Sequence, residues 1–306
     1  MSQTALASPL DIAPEVRETL DRSGAVVALE STIITHGMPY PQNVATAREV
    51  EAVVRENGAM PATIAVIGGR IKIGLSPDEL EWLGTATDVM KLSRADLPYA
   101  VSSKRHGATT VAATMICAHL AGIRVFATGG IGGVHQGVEE TMDISADLDE
   151  LARTPVAVIC AGAKAVLDLP RTLEYLETRG VPVVGYGTDR FPAFWSRTSE
   201  LSVPLRLDSP EAIADLIRTK EALGLGGGTL VANPVPQADE IPASEMRTFI
   251  ETAIAQAKTR GIAGKAVTPF LLSYLFELTG GRSLATNIAL VKNNAALAAQ
   301  VATSLR

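Results

Sequence analysis

The sequence predicts an α/β fold: a three-layer α/β/α arrangement with a largely parallel central sheet and a helical carboxyl-terminal region. Three observations carry this. Short apolar runs such as VVAL, PATIAVIGG and AVIC alternate with amphipathic helical stretches, the order that builds parallel sheets with helices on both faces. The runs are apolar throughout rather than alternating, as strands covered on both faces require. Hydrophobic residues make up 47% of the 306-residue chain but aromatic ones only 4%, so the core is aliphatic.

Taken in order, Asp11 to Ser23 reads as a first helix, with Pro14 suited to its first turn. Ala25 to Leu29 is a strand running into the polar segment Glu30 to His36, and Pro41 to Asn57 is a helix. Pro61 to Gly68 and Gly69 to Leu75 are strands around a tight turn, followed by a helix over Pro77 to Leu83. Ala108 to Leu120 is an apolar helix, Arg124 to Thr128 a strand, and Gly129 to Gly137 a glycine-rich loop. Ser145 to Arg153 is a helix, Val156 to Cys160 a strand, and Ala163 to Leu169 and Thr172 to Arg179 are helices. Val181 to Tyr186 and Gly228 to Pro234 are strands either side of a helix at Ser209 to Gly224. Three helices, Ser244 to Gly261, Pro269 to Thr279 and Leu284 to Leu305, close the chain. No repeat or linker interrupts this series, so a single domain is expected over residues 1–306.

The net charge of −6 argues against a nucleic-acid partner, which calls for a basic face. No stretch approaches the ~20 apolar residues of a membrane helix, and Met1 to Pro14 has no leader pattern. Cys117 and Cys160 both lie in apolar runs and read as buried thiols of a reducing compartment. A cytoplasmic location is the expectation.

Ligands of parallel sheets gather at the carboxyl ends of the strands, and several polar clusters fall there. Glu30, after VVAL, is either a partly desolvated general acid or a solvated neighbour of a Ser31 or Thr32 cap. Thr128 to Gly137 can bring backbone amides close to an anion, but its GGxGG spacing fits neither a dinucleotide fingerprint nor a phosphate loop. His135 within it orients a substrate group or is structural. Asp143, Asp147 and Asp149 offer oxygen ligands to a hard divalent cation, or cap a helix together with Ser145. Lys164 follows an apolar strand at an expected helix start. Desolvation and the helix dipole both favour the free amine that makes a Schiff base, although a surface lysine fits the spacing equally. Lys91 with the hydroxyls of Thr109 and Thr110 can hold a phosphate, or belong to a solvated basic loop. Asn287, Asn293 and Asn294 interrupt an apolar helix and serve recognition, a subunit contact or a solvated face.

Taken together, ALESTIITHGMPYPQN, PATIAVIGG, GATTVAATM, FATGGIGGVH, DISADLDEL, CAGAKAVLDL, GVPVVGY, VANPVP, TPFLL and TGGRSLATNIALVKNNA resemble the pseudouridine-5′-phosphate glycosidase family, also called indigoidine-synthase-A-like. The resemblance runs from about Pro14 to Ala299. It implies reversible conversion of pseudouridine 5′-phosphate and water to uracil and ribose 5-phosphate, a manganese or similar divalent ion (Mn2+) and a homotrimer. By motif position, Glu30 is similar to the family's proton donor, Lys164 to its nucleophile and Asp143 to its metal ligand. Lys91, Val111, Ser145, Ala146 and Asp147 resemble substrate-binding positions, and His135 and Asn287 fall in motifs near the site. Two other readings use the same residues: a Schiff-base lyase or aldolase acting on another sugar phosphate, and a non-catalytic nucleotide-binding module.

Overall fold

A computed structural model describes residues 8–262, 264 and 267–306. Residues 1–7 of the amino-terminal stretch read above for a leader lie outside the described residues. The amino-terminal half contains β1 (Leu10–Ile12), α1 (Pro14–Asp21), β2 (Val26–Leu29), α2 (Gln42–Glu56), β3 (Met60–Ile67), β4 (Arg70–Ile73), α3 (Pro77–Thr85), β5 (Met90–Leu92), α4 (Leu97–Ser102), β6 (Gly107–Thr109) and α5 (Val111–Leu120). There follow β7 (Val125–Ala127), α6 (Val138–Thr141), α7 (Ala146–Arg153), β8 (Ala157–Cys160), α8 (Leu169–Thr178), β9 (Val183–Tyr186), β10 (Leu205–Leu207), α9 (Pro210–Ala222) and β11 (Thr229–Ala232). Helices α10 (Ala243–Thr259), α11 (Val267–Leu278) and α12 (Arg282–Ser304) end the chain.

The strands form one sheet in the order β1-β4-β3-β2-β7-β8-β11-β9-β10, with β6 pairing β3 and β5 pairing β6. The centre, β3-β2-β7-β8-β11-β9, is parallel throughout. The antiparallel pairings, β3 with β4 and β3 with β6, lie to one side. Strands β2, β8 and β11 are buried along their whole length, as strands with helices on both faces must be. Helices α2 and α12 pack on each other and on this centre, and α5 packs with α7 against β2, β3 and β7. The expected α/β architecture, with its helical carboxyl-terminal region, is therefore present. Among the described residues no helix is long and apolar enough to cross a membrane.

Local expectations fail where polar capping outweighs hydrophobic pattern. The helix expected over Ala108 to Leu120 starts only at Val111, because Thr110 caps it and Gly107–Thr109 pairs as β6. The first helix is shortened to Pro14–Asp21, since Leu10–Ile12 pairs with β4. No helix covers Ala163 to Leu167; α8 begins at Leu169, with the Asp168 side chain accepting from the Arg171 N–H at 3.0 Å and Pro170 in the first turn. Proline suits that position because the first helical N–H groups have no partner within the helix. The short strands β1, β5, β6 and β10 have too few residues to register as a pattern in the sequence.

Candidate active site

Strands β2, β7 and β8 are neighbours in the parallel sheet, and the segments leaving their carboxyl ends form the floor of a cavity of about 380 Å³. Glu30 leaves β2, the glycine-rich loop leaves β7 and Lys164 follows β8; all three line the cavity. Strands β2 and β8 lie two strand spacings apart, about 10 Å, with β7 between them.

Each group is held differently. The Glu30 carboxylate accepts hydrogen bonds from the hydroxyls of Thr32 and Thr128. Behind it, the Ser31 hydroxyl donates to the Ile64 carbonyl at 2.7 Å and accepts from the Thr109 N–H at 2.9 Å. The chain then makes a π-helical turn, Ile33–Gly37, that brings His36 and Met38 to the cavity. Lys164 sits in an irregular loop tied to the glycine-rich loop: its N–H donates to the Ile131 carbonyl at 3.1 Å. Gly162 makes this path possible. Its φ is +84°, and a Cβ there would lie 2.4 Å from the Pro192 carbonyl oxygen. The expected helix dipole at Lys164 is therefore absent, because the helix opens five residues later.

The glycine-rich loop is held from below by Asp147. Its buried carboxylate accepts from the Ala112 N–H at 2.9 Å and the Gly132 N–H at 2.8 Å, linking the start of α5 to the loop. Gly132 has no room for a side chain, since a Cβ would meet Ser145 Oγ at 2.2 Å. Ser145 caps α7, its hydroxyl accepting from the Asp147 N–H at 3.3 Å. The cap reading of this acidic segment is thus the one the structure bears out for Ser145. Ser145, Ala146 and Asp147 still border the cavity, with Lys91 from β5 and Thr110 and Val111 at the start of α5.

Thr109 is a correction. It is buried outside the cavity wall, donating to the Ile64 carbonyl at 2.8 Å and bonding the Thr114 hydroxyl at 2.9 Å. Alternation along β6 turns it into the core, so Thr110 alone of the pair reaches the site. Of the three asparagines, Asn287 lines the cavity. Asn294 donates to the Thr128 carbonyl at 2.8 Å and accepts from Asn233 at 3.0 Å, and Asn293 donates to the Pro234 carbonyl at 3.1 Å. These two fasten α12 to the strand ends. The Asn287 side-chain oxygen is buried and has no hydrogen-bond partner among the described residues.

Electrostatically the cavity is crowded with nitrogen. Burial, then the Lys164 and Lys91 charges, lower the His135 pKa, with Asp143 opposing them at 4.0 Å. Burial and then the Lys91 charge lower that of His36. Both imidazoles are thereby kept neutral near pH 7 and act as hydrogen-bonding groups. The Asp143 side chain is 38% exposed, and no group of three or more ligating side chains surrounds it among the described residues. A hard cation there would rest on one carboxylate, completed by waters and substrate oxygens, a set that magnesium-like ions accept.

The sequence reading did not select His36, Thr32, Thr128, Phe194, Pro269 or Leu272 for the site, yet all but Thr128 line the cavity, and Thr128 bonds Glu30. His36 and Thr32 carried a signal, lying in the polar run after VVAL. Pro269 and Leu272 lay in the TPFLL motif without an assigned role, and Phe194 arrives from a distant part of the chain with no signal.

The pattern of the family described as indigoidine synthase A-like protein matches residues 15–304. A pseudouridine-5′-phosphate glycosidase of Methylobacterium nodulans is 78% identical over 97% of this chain and 88% of its own. One from Solibacter usitatus is 67% identical over 97% and 99%. Among solved structures, the prealnumycin C-glycosynthase AlnA in complex with ribulose 5-phosphate superposes with a TM-score of 0.91 at 36% identity, covering 98% of each chain. An indigoidine synthase A-like protein of Thermotoga maritima gives 0.89 at 33% identity over 99% of each. The chain belongs to the indigoidine synthase A-like family.

Proposed function

We propose that this chain is an enzyme that reversibly cleaves pseudouridine 5′-phosphate to uracil and ribose 5-phosphate. One observation carries the reading: Lys164 and Glu30 enter one nucleotide-sized cavity from β8 and β2, on either side of the glycine-rich loop. The names of the relatives and the sugar phosphate bound by AlnA support it.

The bond to be broken joins ribose C1′ to uracil C5. Simple heterolysis would leave a poor carbanion, whereas a lysine offers a covalent route in easier steps. The Lys164 amine attacks C1′; the bond from C1′ to the ring oxygen breaks, and that oxygen takes the amine's proton. Glu30 protonates C5 as the nitrogen lone pair forms the C1′=N bond and the C1′–C5 bond breaks, releasing uracil. Water hydrolyses the iminium, returning the amine and ribose 5-phosphate and releasing one proton to solvent, which balances the one that Glu30 recovers. Lys91, with the backbone and hydroxyl at the Ser145 cap, suits the 5′-phosphate.

The Asp143 carboxylate would hold a manganese or similar divalent ion, which supplies ordering of water and substrate oxygens. A homotrimer and a cytoplasmic setting belong to the same proposal; both cysteines are free and buried, which supports a reducing compartment. The decisive experiment incubates the protein with manganese and pseudouridine 5′-phosphate and measures free uracil. Release of uracil is expected; binding without release, or cleavage only of other sugar phosphates, would overturn the proposal.

A further inference from the structure

Glu30 has two sides. Its front faces the large cavity, and its back borders a second, smaller one of about 30 Å³. That volume holds about two waters. Its wall is mainly apolar, with groups such as Ile34, Ala47 and Val50, but carries four polar residues: Glu30, Thr46, Thr63 and Thr128. A space of this kind, roomy and edged with several hydrogen-bonding groups, retains water. It lies between β2 and the helix α2, where Thr63 of β3 stands beside Leu29 in the parallel register.

Thr63 is buried, and its hydroxyl donates to Glu51 Oε1 at 2.5 Å. Glu51 lies on α2, half-buried, and neighbours the exposed ion pair Arg55–Glu15 at the protein surface. A line of proton-carrying groups thus runs from the surface through Glu51 and the Thr63 hydroxyl to the water-sized cavity and the back of Glu30. During turnover the base lies against the front of Glu30, so this back side offers a route to solvent that the substrate does not block.

We propose that Glu51, acting through the Thr63 hydroxyl and water held behind Glu30, exchanges the proton that Glu30 gives to the departing base. The inference rests on the function proposed above. Each event requires the Thr63 hydroxyl, which donates to Glu51 at rest, to turn toward the water: protonated Glu51 passes its proton to Thr63 oxygen, the hydroxyl proton moves to water, a water proton moves to Glu30, and Glu51 is reprotonated from solvent. No charge accumulates and no other reactant is required. The Glu51 carboxyl suits the task. Burial raises its pKa, against the lowering effects of the Thr63 hydroxyl, Arg55 and Arg48 and with a smaller rise from Glu15, so it keeps its proton to higher pH than an exposed glutamate.

The test compares Glu51→Gln, Thr63→Val and Thr63→Ser with the unaltered protein. Three readouts are taken: steady-state uracil release, the solvent deuterium isotope effect on kcat, and borohydride trapping of ribose 5-phosphate on Lys164. Trapping needs the amine but no protonation of the base. Glu51→Gln and Thr63→Val are expected to lower kcat by about 10- to 100-fold and to enlarge the isotope effect. KM and the trapped adduct should stay unchanged, and Thr63→Ser should keep normal turnover. Unchanged kcat in Glu51→Gln or in Thr63→Val would overturn the relay, as would loss of adduct in parallel with kcat. If one variant does not fold, the other carries the same comparison. Failure of the unaltered protein to release uracil would instead overturn the function itself.

Discussion

The two walls of the cavity are built on opposite plans. The sheet wall is polar and tightly tied: Glu30 is bonded by two threonines, the glycine-rich loop by Asp147, and the Lys164 backbone by Ile131. The helical wall, from α11 and α12, is mainly apolar, with Leu272, Leu290 and Pro269, and carries the buried Asn287 oxygen, which has no hydrogen-bond partner among the described residues. The contrast separates chemistry from recognition. Groups that move protons or form bonds need fixed positions, and strand ends supply them. A flat base needs an apolar cover and a few hydrogen bonds to choose among bases.

The comparison can be broken most directly at Lys164. Lys164→Ala should abolish uracil release and the borohydride-trapped adduct with ribose 5-phosphate, read by intact mass; an adduct that survives would remove the lysine from the mechanism. Glu30→Gln should lower kcat by about 10²–10⁴-fold while the Lys164 adduct still forms, which kinetics and mass together check. Asn287→Leu probes the other wall. It should raise KM for pseudouridine 5′-phosphate by about tenfold, the worth of one buried hydrogen bond, and leave adduct formation from ribose 5-phosphate intact. A fall in kcat at constant KM would place Asn287 with the chemistry instead.

The smallest effect concerns pH. His135 and His36 have pKa values lowered by burial, so the unfolded chain takes up protons near 6.5 that the folded one refuses. Stability should therefore fall as pH drops below about 6.5 and level off once the folded histidines titrate. Thermal melting at pH 8 and pH 6 measures this, and His135→Gln should flatten the dependence.

Much of the site was legible because strand ends announce themselves. An apolar run followed at once by Glu30, or by the Ala161–Ala163 break and Lys164, marks where a parallel sheet exposes side chains. Lys164 was found for a partly wrong reason: the expected helix dipole is absent, and the glycine loop positions the residue instead. Thr109 and Thr110 show the limit of spacing arguments. Adjacent residues of one motif point to opposite sides of a strand end, and only the pairing of Gly107–Thr109 with β3 and β5 settles which one faces the core. The three asparagines were conspicuous together, yet two serve α12 and one the cavity.

The sequence by itself determined the α/β class and the residues able to do covalent acid–base chemistry, because both follow from local pattern: runs of buried strand, and polar groups at their ends. Tertiary structure alone decided that Glu30 and Lys164 share a cavity, that Asp147 serves the loop backbone, and that α11 and α12 roof the site. Strand order is set by long-range pairing: β2 and β8 lie far apart in sequence but either side of β7 in space. No local periodicity encodes that adjacency.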